Sequence, residues 1–221
     1  MPYFNNDIIN ILFIHIPKTG GSSVTEYLMD RYNIKLNNKS LYGTVGNHKD
    51  KEITDKELEI RLFINSRLQH ITYQNLCKYS NFFDINHTNI NYITIVRNPY
   101  HRIMSGLFYT KKINVDNTPD DVFNILKSYI LTEQPDNFNM PQYLFITNEN
   151  RELIPNLKIL RTETLQSDMV SLGYTDFDMK TNCNPHKVDY YKLLNNDSIN
   201  LINDFYDVDF KMFNYNKYNS K

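Results

Sequence analysis

The apolar residues of this chain gather in short dense runs separated by long polar intervals. In Ile8–Ile16, IINILFIHI, almost every position is β-branched or aromatic. A nearly unbroken run of that kind is expected of a strand covered on both faces in a parallel sheet. Pro17 has no N–H to give to a ladder, so the strand is predicted to end there. YITIV, Tyr92–Val96, is a second run of this type, and Leu157–Leu160 is a third strand candidate.

Between these runs the period changes to that of a helix. Val24, Tyr27, Leu28 and Tyr32 fall on one helical face, and Ser23-Val24-Thr25-Glu26 has the S-x-x-E form of a capping box. Asn98 can cap, and Pro99 can open, a helix running to about Lys112, with Ile103, Met104, Leu107 and Phe108 as its apolar stripe and Arg102, Ser105 and Tyr109 on another face. Thr118-Pro119-Asp120-Asp121 starts a helix to about Leu131, Thr162 or Thr164 opens one to about Leu172, and Val188–Tyr206 reads as an amphipathic helical tail. Residues 33–60 are polar and weakly periodic, with Gly43 and Gly46, and read as a mobile loop with room for one short helix. Leu58–Tyr79 fits either one or two short helices or a strand and a helix. Strands spaced by helices predict an α/β fold of three layers around a central parallel sheet. Neither an internal repeat nor a dividing linker is visible, so residues 1–221 are read as a single domain.

Composition narrows the partners. A hydrophobic share of 41% supports a folded core, while a net charge of -1 argues against a nucleic-acid backbone or an anionic membrane as the main partner. Any anion site must therefore be local. The two cysteines, Cys77 and Cys183, lack CxxC spacing, so a disulfide framework or structural zinc is not expected, and both are read as thiols in a reducing compartment. The first apolar run is broken by Asn10 and His15 and has no basic flank, which suits neither a membrane span nor a signal peptide. A soluble, cytoplasmic protein is expected.

The stretch FIHIPKTGGSS, Phe13–Ser23, follows the first strand and opens the first helix. In a parallel sheet such a loop faces the ligand crevice, and a helix N-terminus there offers free N–H groups with a partial positive charge. Gly20 and Gly21 allow close approach of an anion, Thr19, Ser22 and Ser23 add hydroxyls, and Lys18 adds a full charge. The plainer reading is a turn with a solvated lysine. The loop is P-loop-like without being a Walker A sequence, because its lysine precedes the glycines. Arg97, at the end of the second strand, suits a terminal phosphate, and Ser105 on the following helix could close on the same group. Their plainer readings are a structural salt bridge and a surface hydroxyl.

The string FIHIPKTGGSS closely resembles the 5'-phosphosulfate loop of sulfotransferases that use 3'-phosphoadenylyl sulfate (PAPS), in the branch that includes heparan sulfate 2-O-sulfotransferases and bacterial and viral relatives. YITIVRNPYHRIMSGLFY, Tyr92–Tyr109, is similar to that family's 3'-phosphate motif, in which a strand-end arginine is followed eight positions later by a serine, here Arg97 and Ser105. LQHITYQNL resembles the family's H-A-T-x-x-E-I segment: His70 and Thr72 match, while Ile71 and Asn75 replace its small and acidic residues. The resemblance implies that residues Thr19–Ser23 hold the 5'-phosphosulfate, Arg97 and Ser105 the 3'-phosphate, and Lys18 the charge on the bridging oxygen. It also implies that His70 is the general base, with His48 as its competitor among the six histidines. Leu160–Leu165 resembles a strand followed by an E-N-L-like turn in which Glu163 is structural. Asn184, His186, Tyr190 and Tyr191 resemble an N-x-S-x-H-x-x-Y segment with Pro185 in place of the serine, to which no catalytic role is given. The implied reaction is sulfuryl transfer from PAPS to an acceptor hydroxyl, on a glycan, releasing the bisphosphate nucleotide PAP without a metal. Two rivals remain at this stage: a nucleotide kinase, which needs a Walker lysine and acidic Mg²⁺ ligands, and a non-catalytic glycan- or nucleotide-binding protein on the same fold.

Overall fold

The computed structural model describes residues 1–43, 66–83, 85–178 and 188–218. Four strands, β1 (Tyr3–Asn5), β2 (Asn10–Ile14), β3 (Asn91–Val96) and β4 (Lys158–Arg161), form one sheet in that order. β2, β3 and β4 are parallel, with Ile14 opposite Thr94 and Val96 opposite Arg161, whereas β1 runs antiparallel along β2. All three anticipated strands are present, and the sheet is mostly rather than wholly parallel. The first apolar run becomes a strand only at Asn10, because Asn6 Oδ1 accepts the N–H groups of Ile8 and Ile9 at 2.9 and 3.0 Å and makes a turn. That turn folds Tyr3–Asn5 back as an edge strand that periodicity did not reveal.

Alternation along the strands sends side chains to two apolar layers. Ile11, Phe13, Ile93, Ile95 and Leu160 pack against Val24 and Leu28 of α1 (Gly21–Tyr32) and Leu165 and Met169 of α5 (Leu165–Ser171). Leu12, Ile14 and Val96 face the other way, onto Leu68, Ile71, Leu76 of α2 (Tyr73–Lys78) and Phe145. Helices and turns thus cover both faces, as the three-layer expectation requires. A third apolar cluster joins α3 (Pro99–Tyr109), α4 (Pro119–Leu131), α6 (Asn196–Phe205) and α7 (Asp207–Met212). Each such side chain fully withdrawn from water stabilises the fold by about 1.5–3 kcal/mol.

Local chemistry explains most helix boundaries and several departures. Asn98 caps α3 by accepting from Tyr100 N–H, and Thr118 and Asp121 form a reciprocal capping box on α4. The capping box expected at Ser23 and Glu26 does not start α1: the helix begins at Gly21, with Gly20 as its N-cap at φ 89°, a left-handed conformation that glycine adopts without strain. α3 stops at Tyr109 instead of Lys112, where Lys111 turns to φ 56°. The helix foreseen after Thr162 begins as a 3₁₀ turn over Thr162–Thr164 and becomes α-helical at Leu165. The tail is divided into a 3₁₀ turn (Tyr190–Leu193), α6 and α7. In the undecided Leu58–Tyr79 segment, the residues from 66 onward hold a 3₁₀ turn (Leu68–His70) and α2; its earlier part, like most of the 33–60 loop, lies outside the described residues.

Candidate active site

Parallel pairing of β2, β3 and β4 brings three loops to one end of the sheet: His15–Gly20 after β2, Arg97–Asn98 after β3 and Thr162–Thr164 after β4. The first loop is tied down by its carbonyls. Ile16 accepts the Thr19 hydroxyl at 2.8 Å, Pro17 accepts Arg102 Nε at 3.0 Å, and Lys18 accepts Arg97 Nη1 at 3.2 Å. Thr19 accepts the Thr162 hydroxyl at 2.6 Å, Gly20 the Ser23 N–H at 3.2 Å, and Gly21 the Thr25 hydroxyl at 2.9 Å. A trans peptide points its N–H opposite to its C=O. The N–H groups of Lys18, Thr19, Gly20, Gly21 and Ser22 consequently face away from these anchors, and among the described residues no acceptor takes them. Successive free amides at a helix N-terminus, with Lys18 held at φ 67°, make a concavity with the chemistry that suits an anion.

Two cations border it. Lys18 Nζ sits 3.8 Å from the centroid of the Tyr109 ring, and burial, reinforced by the Arg97 guanidinium, pushes its pKa down to about 8. Arg97 exchanges two hydrogen bonds with the Gln142 amide through its own backbone, each 2.9 Å, which fixes the strand end from which its side chain reaches Lys18. Among the described residues neither cation has a carboxylate partner.

Ser105, half-buried on α3, lies one helical turn before Tyr109 and so faces the same side. Thr19 is fully buried with its hydroxyl committed to Ile16, which leaves its N–H, not its side chain, for an anion. Ser23 is also buried, inside the first turn of α1, and Ser22 is half-buried. Arg102, off the apolar stripe in the sequence pattern, is buried in a structural role, donating to Pro17, Met140 and Phe138 carbonyls at 3.0, 2.8 and 3.4 Å. Glu163 has the structural role foreseen, accepting Asn98 N–H and the Tyr215 hydroxyl, each at 2.8 Å.

His70 stands beside this loop, at the end of the 3₁₀ turn and buried. Its ring meets that of His15 edge to face with centroids 4.9 Å apart, and lies 6.1 Å from Phe138, whose ring in turn meets Tyr109 at 5.5 Å. Nδ1 of His70 is 3.6 Å from Asp136 Oδ1, an electrostatic contact slightly long for a hydrogen bond. Burial lowers the His70 pKa and the Asp136 carboxylate opposes that shift; the net direction is down, so the ring is neutral and able to accept a proton at pH 7. His15 is held well below the ordinary range by burial and by His70. Its ring also covers the start of α1: a Cβ on Gly21 would lie 2.3 Å from His15 Cδ2, so Gly21 serves ring packing as well as loop geometry.

Of the other histidines, His87 is exposed at the opposite end of β3, and His101 packs on Tyr190 and Tyr191. His48 and His186 lie outside the described residues, as does the Asn184–Pro185 part of the tail motif. Sequence reasoning missed His15, Tyr109, Phe138 and Asp136. His15 was read as an interruption of an apolar run, and the only trace of Asp136 was a Pro-Asp-Asn turn signal. A depression of about 510 Å³ lined by Asn10, Asn91 and Lys158 opens at the other end of the strands, and one of about 410 Å³ beside Lys112 and Tyr129; neither touches the loop, whose unpaired cations and amides are the stronger chemical signal. Among the described residues, no group of three His, Cys, Asp or Glu side chains is placed to hold a metal ion, and no helix is long and apolar enough to cross a membrane.

Residues 1–170 match the sequence model of the sulfotransferase family, and the chain belongs to that family. The matched span contains all four strands, the amide-lined loop, His70, Arg97 and Asp136. Family membership makes the chain a transferase of the sulfuryl-transfer type, working from a sulfate donor. Searches of curated proteins and of solved structures found no significant match.

Proposed function

We propose that this protein transfers the sulfuryl group of PAPS to an acceptor hydroxyl on a carbohydrate, and that residues 1–221 act as one catalytic domain. The observation that carries the reading is the row of amides from Lys18 to Ser22 bordered by Lys18 and Arg97, the amides having no acceptor and the two cations no carboxylate partner among the described residues. Such a site favours a ligand with several negative charges. PAPS fits it: the amides and Lys18 would hold the 5'-phosphosulfate, and Arg97 with Ser105 the 3'-phosphate. When bound, PAPS supplies an activated sulfuryl group whose leaving group is PAP.

The residues then divide the work. His70, neutral and against the loop, accepts the acceptor proton as the new O–S bond forms. Lys18 places its ammonium where charge develops on the bridging oxygen as the old S–O bond breaks. Tyr109 and Phe138 span the gap between Lys18 and His70 by ring contacts. Nothing in the site favours the kinase alternative, since the lysine precedes the glycines.

Incubation with ³⁵S-labelled PAPS and a panel of glycan, tyrosyl-peptide and small-alcohol acceptors tests the proposal, with calorimetry of PAP binding alongside. Labelling of a glycan and loss of most transfer in Lys18→Ala and His70→Ala are expected. No labelled acceptor together with no PAP binding would refute it, and labelling of peptide alone would overturn the carbohydrate assignment.

A further inference from the structure

Asp136 and Asn137 form a turn in which both residues have positive φ, 59° and 58°, a conformation that Asp and Asn tolerate better than most side chains but that still carries a cost. The turn grips the His70 segment at several points. Asn137 Nδ2 donates to the His70 carbonyl at 3.2 Å, Asp136 Oδ1 accepts Arg67 N–H at 2.7 Å, and Arg67 Nε lies 3.4 Å from Oδ2. The same Oδ1 is the atom 3.6 Å from His70 Nδ1. Phe138, the next residue, continues along the His70 ring, while His15 closes the opposite side. The ring is thus boxed on three sides, and among the described residues its one facing anion is at Nδ1.

We propose that Asp136 is a positioning residue for His70: its carboxylate takes the Nδ1–H side of the ring, which fixes the tautomer with the lone pair on Nε2 and directs that nitrogen at the acceptor hydroxyl. This rests on the assignment of His70 as base. In the step, Nε2 takes the hydroxyl proton while the acceptor oxygen bonds to sulfur and the S–O bond to PAP breaks. The resulting imidazolium faces Asp136 through Nδ1–H, and the proton passes to solvent after release of the sulfate ester. Burial alone would oppose an imidazolium here. Among the described residues, the other groups facing His70 do not replace the carboxylate: His15 is neutral, Arg67 is a cation, and the Met1 amino group, which donates to the Leu68 carbonyl at 2.5 Å, has its pKa held well below the ordinary value by burial. A carboxylate in this position raises the basicity of the ring and removes the tautomer in which Nε2 carries the proton.

The test is Asp136→Asn, in which the side-chain oxygen can still accept from Arg67 N–H but the charge is gone. Transfer from ³⁵S-labelled PAPS to whichever panel acceptor is labelled should lose at least about tenfold in kcat with KM for PAPS little changed. The acid limb of the kcat/KM profile should move to lower pH, because the imidazolium has lost its counter-charge. A purely structural Asp136 predicts neither change. Full kcat with an unmoved acid limb in Asp136→Asn would overturn the proposal. Nitrogen NMR of the unliganded wild-type protein gives a second readout that needs neither acceptor nor variant: an Nδ1–H tautomer for neutral His70 is expected, and an Nε2–H tautomer would refute it. Failure of the underlying base assignment is seen separately, as undiminished transfer in His70→Ala.

Discussion

Adding one methyl group at Gly21 probes the packing beneath the loop. The new Cβ would stand 2.3 Å from His15 Cδ2, 2.5 Å from Nε2 and 2.9 Å from Cγ. The first of these is at least about 1 Å short of van der Waals contact. The ring has little room to retreat, since it stacks on Phe13 at 5.6 Å and abuts His70 at 4.9 Å. Overpacking of this kind costs about 1–3 kcal/mol, and the gain in helix propensity from Gly to Ala offsets at most about 1 kcal/mol. Gly21→Ala should therefore be destabilised by about 1–2 kcal/mol, a fall in Tm of roughly 2–8 °C for a chain of this size. In a double-mutant cycle with His15→Ala the methyl should cost much less, leaving a coupling of about 1 kcal/mol or more. Thermal and urea unfolding of the four proteins measure both quantities. If Gly21→Ala melts at or above the parent temperature, or if the two changes are additive, the His15 contact does not explain this glycine.

Two further outcomes follow from the charged groups. Because the Lys18 pKa is depressed to about 8, the unfolded chain binds more protons than the folded one between about pH 8 and the ordinary lysine value of 10.5, so this group's contribution to stability becomes more favourable as pH rises through that window. Its charge is lost over the same range, so kcat/KM for PAPS should decline above about pH 8, and Lys18→Met should remove that alkaline limb and nearly all activity without lowering Tm. Arg102→Ala strips donors from the carbonyls of Pro17, Met140 and Phe138 and should cost roughly 3 kcal/mol or more, read by denaturant unfolding; a loss below 1 kcal/mol would contradict this accounting.

The sheet was legible chiefly because Ile8–Ile16 and Tyr92–Val96 are dense runs rich in β-branched residues, whereas Leu157–Leu160 has only Ile159 of that type and was placed by its position between helices. β1 was hidden because it is three residues long and joins β2 through a turn made by the Asn6 side chain, a local bond that leaves no periodic trace. Lys18, Arg97 and the glycines could be found as residues of a loop and a strand end. What could not be read was which way they face. Arg102 and Ser105 occupy one helix only three residues apart, yet the first is buried in carbonyls and the second is half-buried beside the site, a difference set by the 138–140 segment rather than by α3. Asp136 reaches His70 across many intervening residues and a turn of positive φ, so only tertiary structure joins them.

The loop after β2 holds its shape only in part by itself, through the Ile16, Gly20 and Gly21 carbonyls. Its carbonyls at Pro17, Lys18 and Thr19 are tethered by Arg102, Arg97 and Thr162, which belong to later parts of the chain. It follows that the string PKTGGSS is not a portable module. Grafted alone onto another strand and helix it would keep its glycines and its lysine, but the peptide planes that carry the Pro17, Lys18 and Thr19 carbonyls would be free to rotate and could turn oxygens toward the anion. During synthesis, too, this loop leaves the ribosome before its tethers, so its full set of bonds cannot close until Thr162 has been made.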